Sequence, residues 1–260
     1  MSLRGKVVII TGSSSGIGAD AARHLAKLGA KVSIVGRNEK RVSEVVDQIK
    51  KSGAPTPLPI VTDVTKDAQR IIDETIEHFG RLDVLVNSAG AFGADSVAYF
   101  DVEKFDSILD TNVRSVIILT NLAVPHLEKT KGNIINVSSV CGLRPFDYMT
   151  SYCISKAGLD QFTKCSAIAL APKGIRVNSI NPATIRTPIF EQIGINESNE
   201  NQFYEDRKHE FLVDRVGEVS DTSSAIAYLA SETFLTGVLL PIDGGLTCAG
   251  IRSELNRFTF

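Results

Sequence analysis

The sequence predicts an α/β fold in which a parallel sheet carries helices on both faces. Short apolar, β-branched runs alternate with stretches of helical periodicity, and repeated β–α–β units of this length place their strands in parallel. The chain has 260 residues, of which 43% are hydrophobic, so it can bury the core of one large domain. We therefore expect a single domain over residues 1–260.

Seven apolar runs are the candidate strands, and turn residues separate them from the candidate helices. The first helix ends before Gly29, because glycine readily adopts the left-handed conformation that terminates a helix. The third strand follows the turn-forming run Ser-Gly-Ala-Pro at residues 52–55. The predicted strands span residues 6–11, 31–35, 58–61, 82–86, 133–139, 175–180 and 238–242. The first predicted helix ends at about residue 28, and the others span 38–51, 68–79, 113–128 and 150–171.

Charge and cysteine content exclude several classes of function. The 28 basic and 30 acidic residues nearly balance, so neither nucleic acid nor an anionic membrane is an expected partner. The sequence has neither an apolar stretch long enough to span a membrane nor a signal-peptide core, which predicts a cytoplasmic protein. The cysteines are too far apart for a CxxC metal or redox site, and we expect no metal; they are Cys141, Cys153, Cys165 and Cys248.

A glycine-rich turn joins the first strand to the first helix. Glycines here let the backbone approach a pyrophosphate, and the helix N-terminus offers free N–H groups and the positive end of its dipole. The spacing is GxxxGxG, which is neither the commoner GxGxxG fingerprint nor a Walker A loop. The alternative without a ligand is a simple turn. The residues of the turn are Gly12, Ser13, Ser14, Ser15, Gly16, Ile17 and Gly18.

The same turn also fits the G-x-S-x-G nucleophile elbow of α/β-hydrolases, with Ser14 as the nucleophile. This reading is disfavoured because the turn follows the first strand, so no earlier loop supplies a second oxyanion donor. No histidine follows a predicted strand convincingly either; the histidines are His24, His78, His126 and His209.

Ser139, Tyr152 and Lys156 form a second candidate site. Tyr152 and Lys156 are four residues apart in a predicted helix, so their side chains are neighbours on one face. A nearby ammonium favours the phenolate, and we therefore expect Lys156 to lower the pKa of Tyr152 towards the range of efficient proton transfer. Ser139 ends the fifth strand, at the sheet edge where α/β enzymes place their chemistry. A Tyr-x-x-x-Lys pair alone is a weak signal, since most such pairs are ordinary helix surface.

Several motifs in order give this chain its resemblance to the short-chain dehydrogenase/reductase family, from residue 6 to residue 245. They are the glycine-rich turn, Asp63-Val64, Asn87-Ser88-Ala89-Gly90, Asn112, Ser139, Tyr152 with Lys156, Asn181-Pro182, Thr187 and Asp243-Gly244-Gly245. The resemblance implies a single-domain Rossmann fold, a doubly wound seven-stranded parallel sheet in the order 3-2-1-4-5-6-7. It also implies an NAD(P)-dependent oxidoreductase acting on a carbonyl or alcohol.

The resemblance assigns roles to individual residues. Tyr152 would be the general acid/base, Ser139 would bind the substrate oxygen, and Lys156 would also bind the nicotinamide ribose. Asn112 would hold a water of the proton relay. The other cofactor-binding residues would be Asp63, Val64, Asn87, Ala89, Gly90, Pro182, Ala183, Ile185 and Thr187. Two positions depart from the usual pattern: Ser88 replaces an asparagine and Ala183 a glycine.

The end of the second strand bears on the choice of cofactor. An NAD site places a carboxylate there, which binds the ribose hydroxyls and repels a 2′-phosphate. This chain has Gly36, followed by Arg37 and Asn38, and a guanidinium can bind a phosphate in a fork. We therefore expect NADP(H), with NAD(H) as the alternative. The hydroxyls of Ser13 and Ser15 are further candidates for the phosphate contact.

The expected substrate pocket is apolar and is formed by the residues after Gly90 and Ser139 and by a lid at residues 188–212. We expect a lid because the polar stretch 191–207 is too long for a simple connection. This favours a lipophilic carbonyl, such as a steroid-like ketone, a 3-oxoacyl chain or a small ketone. The alternatives are an NAD-dependent alcohol or hydroxysteroid dehydrogenase and a dinucleotide-binding regulator without turnover. Family analogy implies a homotetramer, or a homodimer.

Overall fold

The structure is a computed structural model that describes residues 2–249. Its seven parallel strands form one sheet in the order β3-β2-β1-β4-β5-β6-β7, which confirms the expected fold and strand order. The strands are β1 (Val7–Thr11), β2 (Lys31–Gly36), β3 (Leu58–Val61), β4 (Val84–Asn87), β5 (Asn133–Val137), β6 (Arg176–Pro182) and β7 (Leu239–Ile242). Residue 1 and residues 250–260 of the predicted domain lie outside the described residues.

Eight helices cover the two faces of the sheet within residues 2–249. They are α1 (Gly16–Lys27), α2 (Glu39–Lys51), α3 (Ala68–Phe79), α4 (Val102–Leu109), α5 (Ser115–Thr130), α6 (Thr150–Leu170), α7 (Glu200–Arg207) and α8 (Val219–Ser231). Because successive strand residues point to opposite faces, Val8 and Ile10 of β1 pack with α1, α2 and α8, whereas Ile9 packs on the other face with α3 and α5. Burial on both faces explains why the strands read as continuous apolar runs.

The sequence prediction missed three helices. The lid, expected to be irregular, contains α7, which has few apolar residues and buries mainly Tyr204. Helix α8 had a visible signal, since Glu218 and Asp221 form a capping box at its start. Helix α4 continues through a π-helical turn, Asp110–Arg114, into α5, so Asn112 lies in an irregular turn rather than just before a helix. Such turns often occur at functional sites.

No helix formed by residues 2–249 is both long enough and apolar enough to cross a membrane.

Candidate active site

A cavity of about 680 Å³ opens at the carboxyl edge of the sheet, where the expected cofactor and catalytic residues meet. Its lining includes most of the predicted site: Gly12, Ser14, Ser15, Gly16, Ile17, Gly18, Arg37, Asn38, Asp63, Val64, Ala89, Gly90, Ser139, Tyr152, Lys156, Pro182, Ala183, Ile185 and Thr187. Ser13, Asn87 and Asn112 are absent from this lining. Within residues 2–249, no group of three or more His, Cys, Asp or Glu side chains is arranged to hold a metal ion.

Ser139 and Tyr152 present their hydroxyls to the same part of the cavity. Tyr152, in the first turn of α6, is 8% exposed, and its ring packs edge-on against Phe92 with centroids 4.8 Å apart. The side chain of Ser139 lies near enough to the Tyr152 phenol to lower its pKa. The Ser139 hydroxyl also accepts the N–H of Cys141 at 3.2 Å and lies 3.3 Å from the Pro182 carbonyl oxygen. Two hydroxyls held together at a strand end can bind and protonate one substrate oxygen.

Lys156 lies beneath the ring of Tyr152, but its ammonium group donates its hydrogen bond to the backbone of β5. Its Nζ is 5.5 Å from the Tyr152 ring centroid and donates to the carbonyl oxygen of Val137 at 2.8 Å. Burial lowers the pKa of Lys156 to about 8, although the charge of Asp160 opposes this. Burial also raises the pKa of Tyr152, and the side chain of Ser139 only partly offsets this rise. The expected lowering of the Tyr152 pKa is therefore wrong for this structure, because loss of solvation decides the direction of the shift.

Asn112 ties the catalytic helix to the loop after β4. It is fully buried, and its Oδ1 accepts the N–H of Ala91 at 2.7 Å. Its Nδ2 donates to the Ala91 carbonyl oxygen at 2.9 Å and to the hydroxyl of Ser155 at 3.0 Å. Asn112 therefore supports the cavity wall through Ala91 without lining the cavity itself.

The glycine-rich turn fits a dinucleotide pyrophosphate. A Cβ at Gly12 would lie 2.7 Å from Cα of Ala89, and one at Gly18 would lie 2.5 Å from the Gly12 carbonyl oxygen. Side chains at these positions would therefore push the turn out of place. Ser15 precedes α1, its side chain makes no capping hydrogen bond, and the first helical turn contains no acidic residue. The free N–H groups of this helix end suit an anion.

Two predicted cofactor residues support the groove without lining it. The Ser13 side chain is completely buried, and its Oγ donates to the Ile10 carbonyl oxygen at 2.6 Å and accepts the N–H of Val35 at 2.9 Å. The expected phosphate contact from the Ser13 hydroxyl is therefore wrong. Asn87 is also buried, with its Nδ2 donating to Asn136 Oδ1 at 2.9 Å, so it joins β4 to β5 below the groove floor.

The far end of the cavity carries the groups expected near adenosine. Arg37 is 80% exposed, and its Nη1 lies 3.9 Å from Asp63 Oδ2. Asp63 in turn accepts the N–H and the hydroxyl of Thr65, at 2.9 and 2.8 Å. Burial raises the pKa of Asp63, but the Thr65 hydrogen bonds and the charge of Arg37 outweigh it, so the pKa is lowered. A Cβ at Gly36 would lie 2.8 Å from the Cβ of Ser14, so a carboxylate cannot be placed there without moving the turn.

Arg41 is a second cation at this end that sequence analysis overlooked. It lines the cavity, and its N–H is bound by the side chain of Asn38, which caps α2. The sequence contained a signal for this second cation, because Arg41 follows Arg37 by four residues at the start of a predicted helix, where such residues lie near each other. Its Nη2 lies 3.9 Å from a carboxylate oxygen of Glu191 in the lid.

Other residues of the lid close the cavity at the Tyr152 end. Phe190 packs edge-on against Phe92 with ring centroids 5.6 Å apart, and Gln192 Oε1 accepts the N–H of Phe92 at 3.0 Å. Tyr204 holds α7 in place, because its hydroxyl lies 3.2 Å from the Thr187 nitrogen and 3.3 Å from the Thr187 carbonyl oxygen. Neither Gln192 nor Tyr204 was predicted, and no local pattern in the polar lid singles them out.

The hydrolase alternative finds no support at Ser14. Ser14 lines the cavity, but none of the four histidines, all of which lie within residues 2–249, does so. A serine nucleophile without a neighbouring base is not activated.

Comparisons with known proteins identify the family. A family model described as short chain dehydrogenase matches residues 6–198. The L-fucose dehydrogenase of Bos taurus is 34% identical over 93% of this chain and 89% of its own length. A Caenorhabditis elegans short-chain dehydrogenase/reductase of unknown function, solved with cofactor, superimposes with a TM-score of 0.90 at 34% identity, covering 94% of this chain and 96% of that one. The 3-ketoacyl-(acyl-carrier-protein) reductase of Brucella melitensis, solved with NADH, gives a TM-score of 0.86 at 32% identity, covering 95% and 100%.

The chain therefore belongs to the short-chain dehydrogenase family and is an oxidoreductase of the NAD(P)-dependent kind that acts on alcohol or ketone substrates.

Proposed function

We propose that this protein interconverts a ketone and a secondary alcohol with NADP(H), and that its substrate is a lipophilic carbonyl compound. The observation that carries the proposal is that the hydroxyls of Ser139 and Tyr152 line one cavity together with the glycine-rich turn. A non-catalytic dinucleotide-binding protein has no need of this pair. When bound, NADPH supplies the hydride that reduces the carbonyl carbon.

The residues of this chain supply orientation and a proton. Ser139 donates a hydrogen bond to the substrate carbonyl oxygen and so fixes it beside Tyr152. Burial keeps the Tyr152 phenol protonated at neutral pH, so it is ready to give its proton to that oxygen as negative charge develops. Lys156 lies below the phenol and favours the phenolate that remains. Asn112 holds the loop after β4 and the catalytic helix at a fixed distance through Ala91 and Ser155.

The nature of the pocket wall supports a lipophilic substrate. Many rings and branched chains line the space beside Tyr152, and a polar contact is stronger beside apolar walls than in water. The apolar residues of this wall are Phe92, Val140, Cys141, Phe146, Met149, Ile189, Phe190, Phe203 and Leu246.

Arg37 and Arg41 support NADP(H) as the cofactor, because both line the adenosine end of the cavity and carry the charge that a 2′-phosphate requires. NAD(H) is the second candidate, since a related reductase was solved with NADH. For the assembly we propose a homotetramer. Apolar side chains are exposed on α5 and α6, namely Ile117, Ile154 and Ile168, and a protein interface would cover them.

The test is an NADPH-consumption assay followed through the absorbance of the reduced nicotinamide. Purified protein is given a panel of aryl ketones, steroid ketones and 3-oxoacyl thioesters, and in the reverse direction L-fucose with NADP⁺. Tyr152→Phe, which keeps the ring but loses the proton donor, is the matched variant. Ketone-dependent consumption that disappears in Tyr152→Phe is the expected result. Oxidation of L-fucose without reduction of any lipophilic ketone would refute the proposed substrate class.

A further inference from the structure

A buried carboxylate, Asp160, lies directly behind the catalytic residues without lining the cavity. It is 4% exposed and follows Lys156 by one turn of α6. Both of its oxygens accept hydrogen bonds from Nδ2 of Asn181, at 3.0 and 2.9 Å. A carboxylate this deeply buried is costly unless its charge is compensated, so its partners indicate what it does.

One set of partners connects Asp160 to Ser139. The same Nδ2 of Asn181 donates to the carbonyl oxygen of Ser139 at 3.0 Å. The Oδ1 of Asn181 accepts a hydrogen bond from the Ser179 hydroxyl at 2.8 Å. The turn after Ser139 also packs on the carboxylate, because a Cβ at Gly142 would overlap with Oδ2 of Asp160. The carboxylate therefore contacts the Gly142 end of the short turn directly and reaches the Ser139 end through Asn181.

The other partner is Lys156. Burial lowers the pKa of this ammonium to about 8, and the negative charge of Asp160 is the main influence that raises it again. The Cys141 thiol also faces Lys156, while Tyr152 lies above it. Burial raises the pKa of Asp160 itself, while Ser138, Asn181, Lys156 and the exposed Lys164 lower it. Within residues 2–249, Asp160 is the one carboxylate that acts on Lys156.

We propose that Asp160 is a positioning residue that keeps Lys156 charged and holds the Ser139 turn in place through Asn181. The inference rests on the proposed function, since Lys156 and Ser139 are its catalytic residues. Asp160 and Lys156 are four residues apart in α6, which places their Cβ atoms about 5–6 Å apart. An opposite charge within about 4–6 Å changes a pKa by about 1 unit or more. Without Asp160, Lys156 would lose its proton near neutral pH, and the phenolate of Tyr152 would lose its stabilising cation.

The test is Asp160→Asn, which keeps the shape and one acceptor oxygen for the Asn181 amide but removes the charge. The alkaline limb of the kcat/KM profile for NADPH-dependent reduction should move down by about 1 pH unit. Activity should therefore fall roughly tenfold near pH 8.5 and recover to within about twofold near pH 6, as the loss of protonated Lys156 requires. Lys164→Gln, which removes an exposed charge near Asp160, is the control and should leave the profile unchanged.

A second readout is independent of turnover. NADPH affinity, measured by fluorescence titration as a function of pH, should weaken at a lower pH in Asp160→Asn than in the wild type. If Asn is not tolerated, Asp160→Ser removes the same charge, leaves a hydroxyl for Asn181 and should give the same shift. Unchanged pH profiles in both variants, with only a lower melting temperature, would overturn the inference. A wild type that reduces no carbonyl would instead refute the proposed function, and the NADPH titration would still decide the role of Asp160.

Discussion

Replacing Arg37 tests how this protein selects its nucleotide. Arg37 lines the adenosine end of the cavity, is 80% exposed and has a carboxylate, Asp63, 3.9 Å away. Two unit charges at about 4 Å interact by about 1 kcal/mol in water and about 4 kcal/mol near a protein surface. Because Arg37 is so exposed and already faces a carboxylate, the lower half of that range applies, about 1–2 kcal/mol. Arg37→Gln should therefore weaken NADPH binding by about 5- to 30-fold.

The measurement is the dissociation constant of NADPH and of NADH, each from quenching or transfer of nicotinamide fluorescence. NADH lacks the 2′-phosphate, so its affinity should change less than about twofold, and the loss for NADPH should shrink as salt screens the exposed pair. Arg70→Gln is the control, because Arg70 is an exposed arginine of α3 that does not line the cavity. Equal weakening of both nucleotides, or of neither, would refute the assignment of Arg37 to the phosphate.

Three further substitutions test the fold and the site. Asp83→Asn should destabilise the protein by about 1–3 kcal/mol in urea unfolding near neutral pH, because the buried carboxylate bonds two cations and a backbone N–H. Burial raises the pKa of Asp83, but its hydrogen-bond partners lower it by more, so the pKa in the folded protein is below 3.8. The stability that Asp83 contributes is therefore present above about pH 3.8 and is lost as the pH falls through the folded-state pKa. The free energies of unfolding of the wild type and Asp83→Asn should converge in acid. Tyr204→Phe should cost about 1 kcal/mol and raise KM more than it lowers kcat, because it frees the lid from Thr187. Asn112→Ala should abolish turnover and cost about 1–3 kcal/mol in thermal unfolding, since it leaves the N–H of Ala91 unpaired.

The alternation of strand-like and helix-like patterns along the sequence made the fold predictable. The apolar runs of β1, β2 and β5 and the glycines at some of the turns, such as Gly12 and Gly29, are local signals. The alternation of strands with helices indicated the parallel arrangement. Helix α7 was not predictable in this way, because it is held by one buried ring, Tyr204, rather than by an apolar stripe. Its packing is a tertiary contact with no signature in the neighbouring residues.

Several spaced motifs together predicted that the proposed catalytic residues meet in one cavity, whereas no motif predicted their electrostatics. The i, i+4 spacing correctly places Lys156 beneath Tyr152, but it does not reveal that both side chains are buried, and burial decides the direction of both pKa changes. The same spacing, one turn further along α6, brings Asp160 next to Lys156. A residue such as Ser13, by contrast, looks like a ligand in the motif but faces β2.

The central claim is that NADPH gives a hydride and Tyr152 gives a proton to a ketone. The most direct test combines a deuterium label on the hydride with the removal of the proton donor. Wild-type protein and Tyr152→Phe are incubated with a lipophilic ketone and with NADPH deuterated on the transferring face of the nicotinamide ring, and the product is analysed by mass spectrometry. The account predicts a secondary alcohol that carries one deuterium on its carbinol carbon in the wild type, and little product in the variant. Equal product from both proteins would contradict the role of Tyr152. NADPH binding with no deuterated alcohol from any ketone in the panel would contradict the proposed reductase.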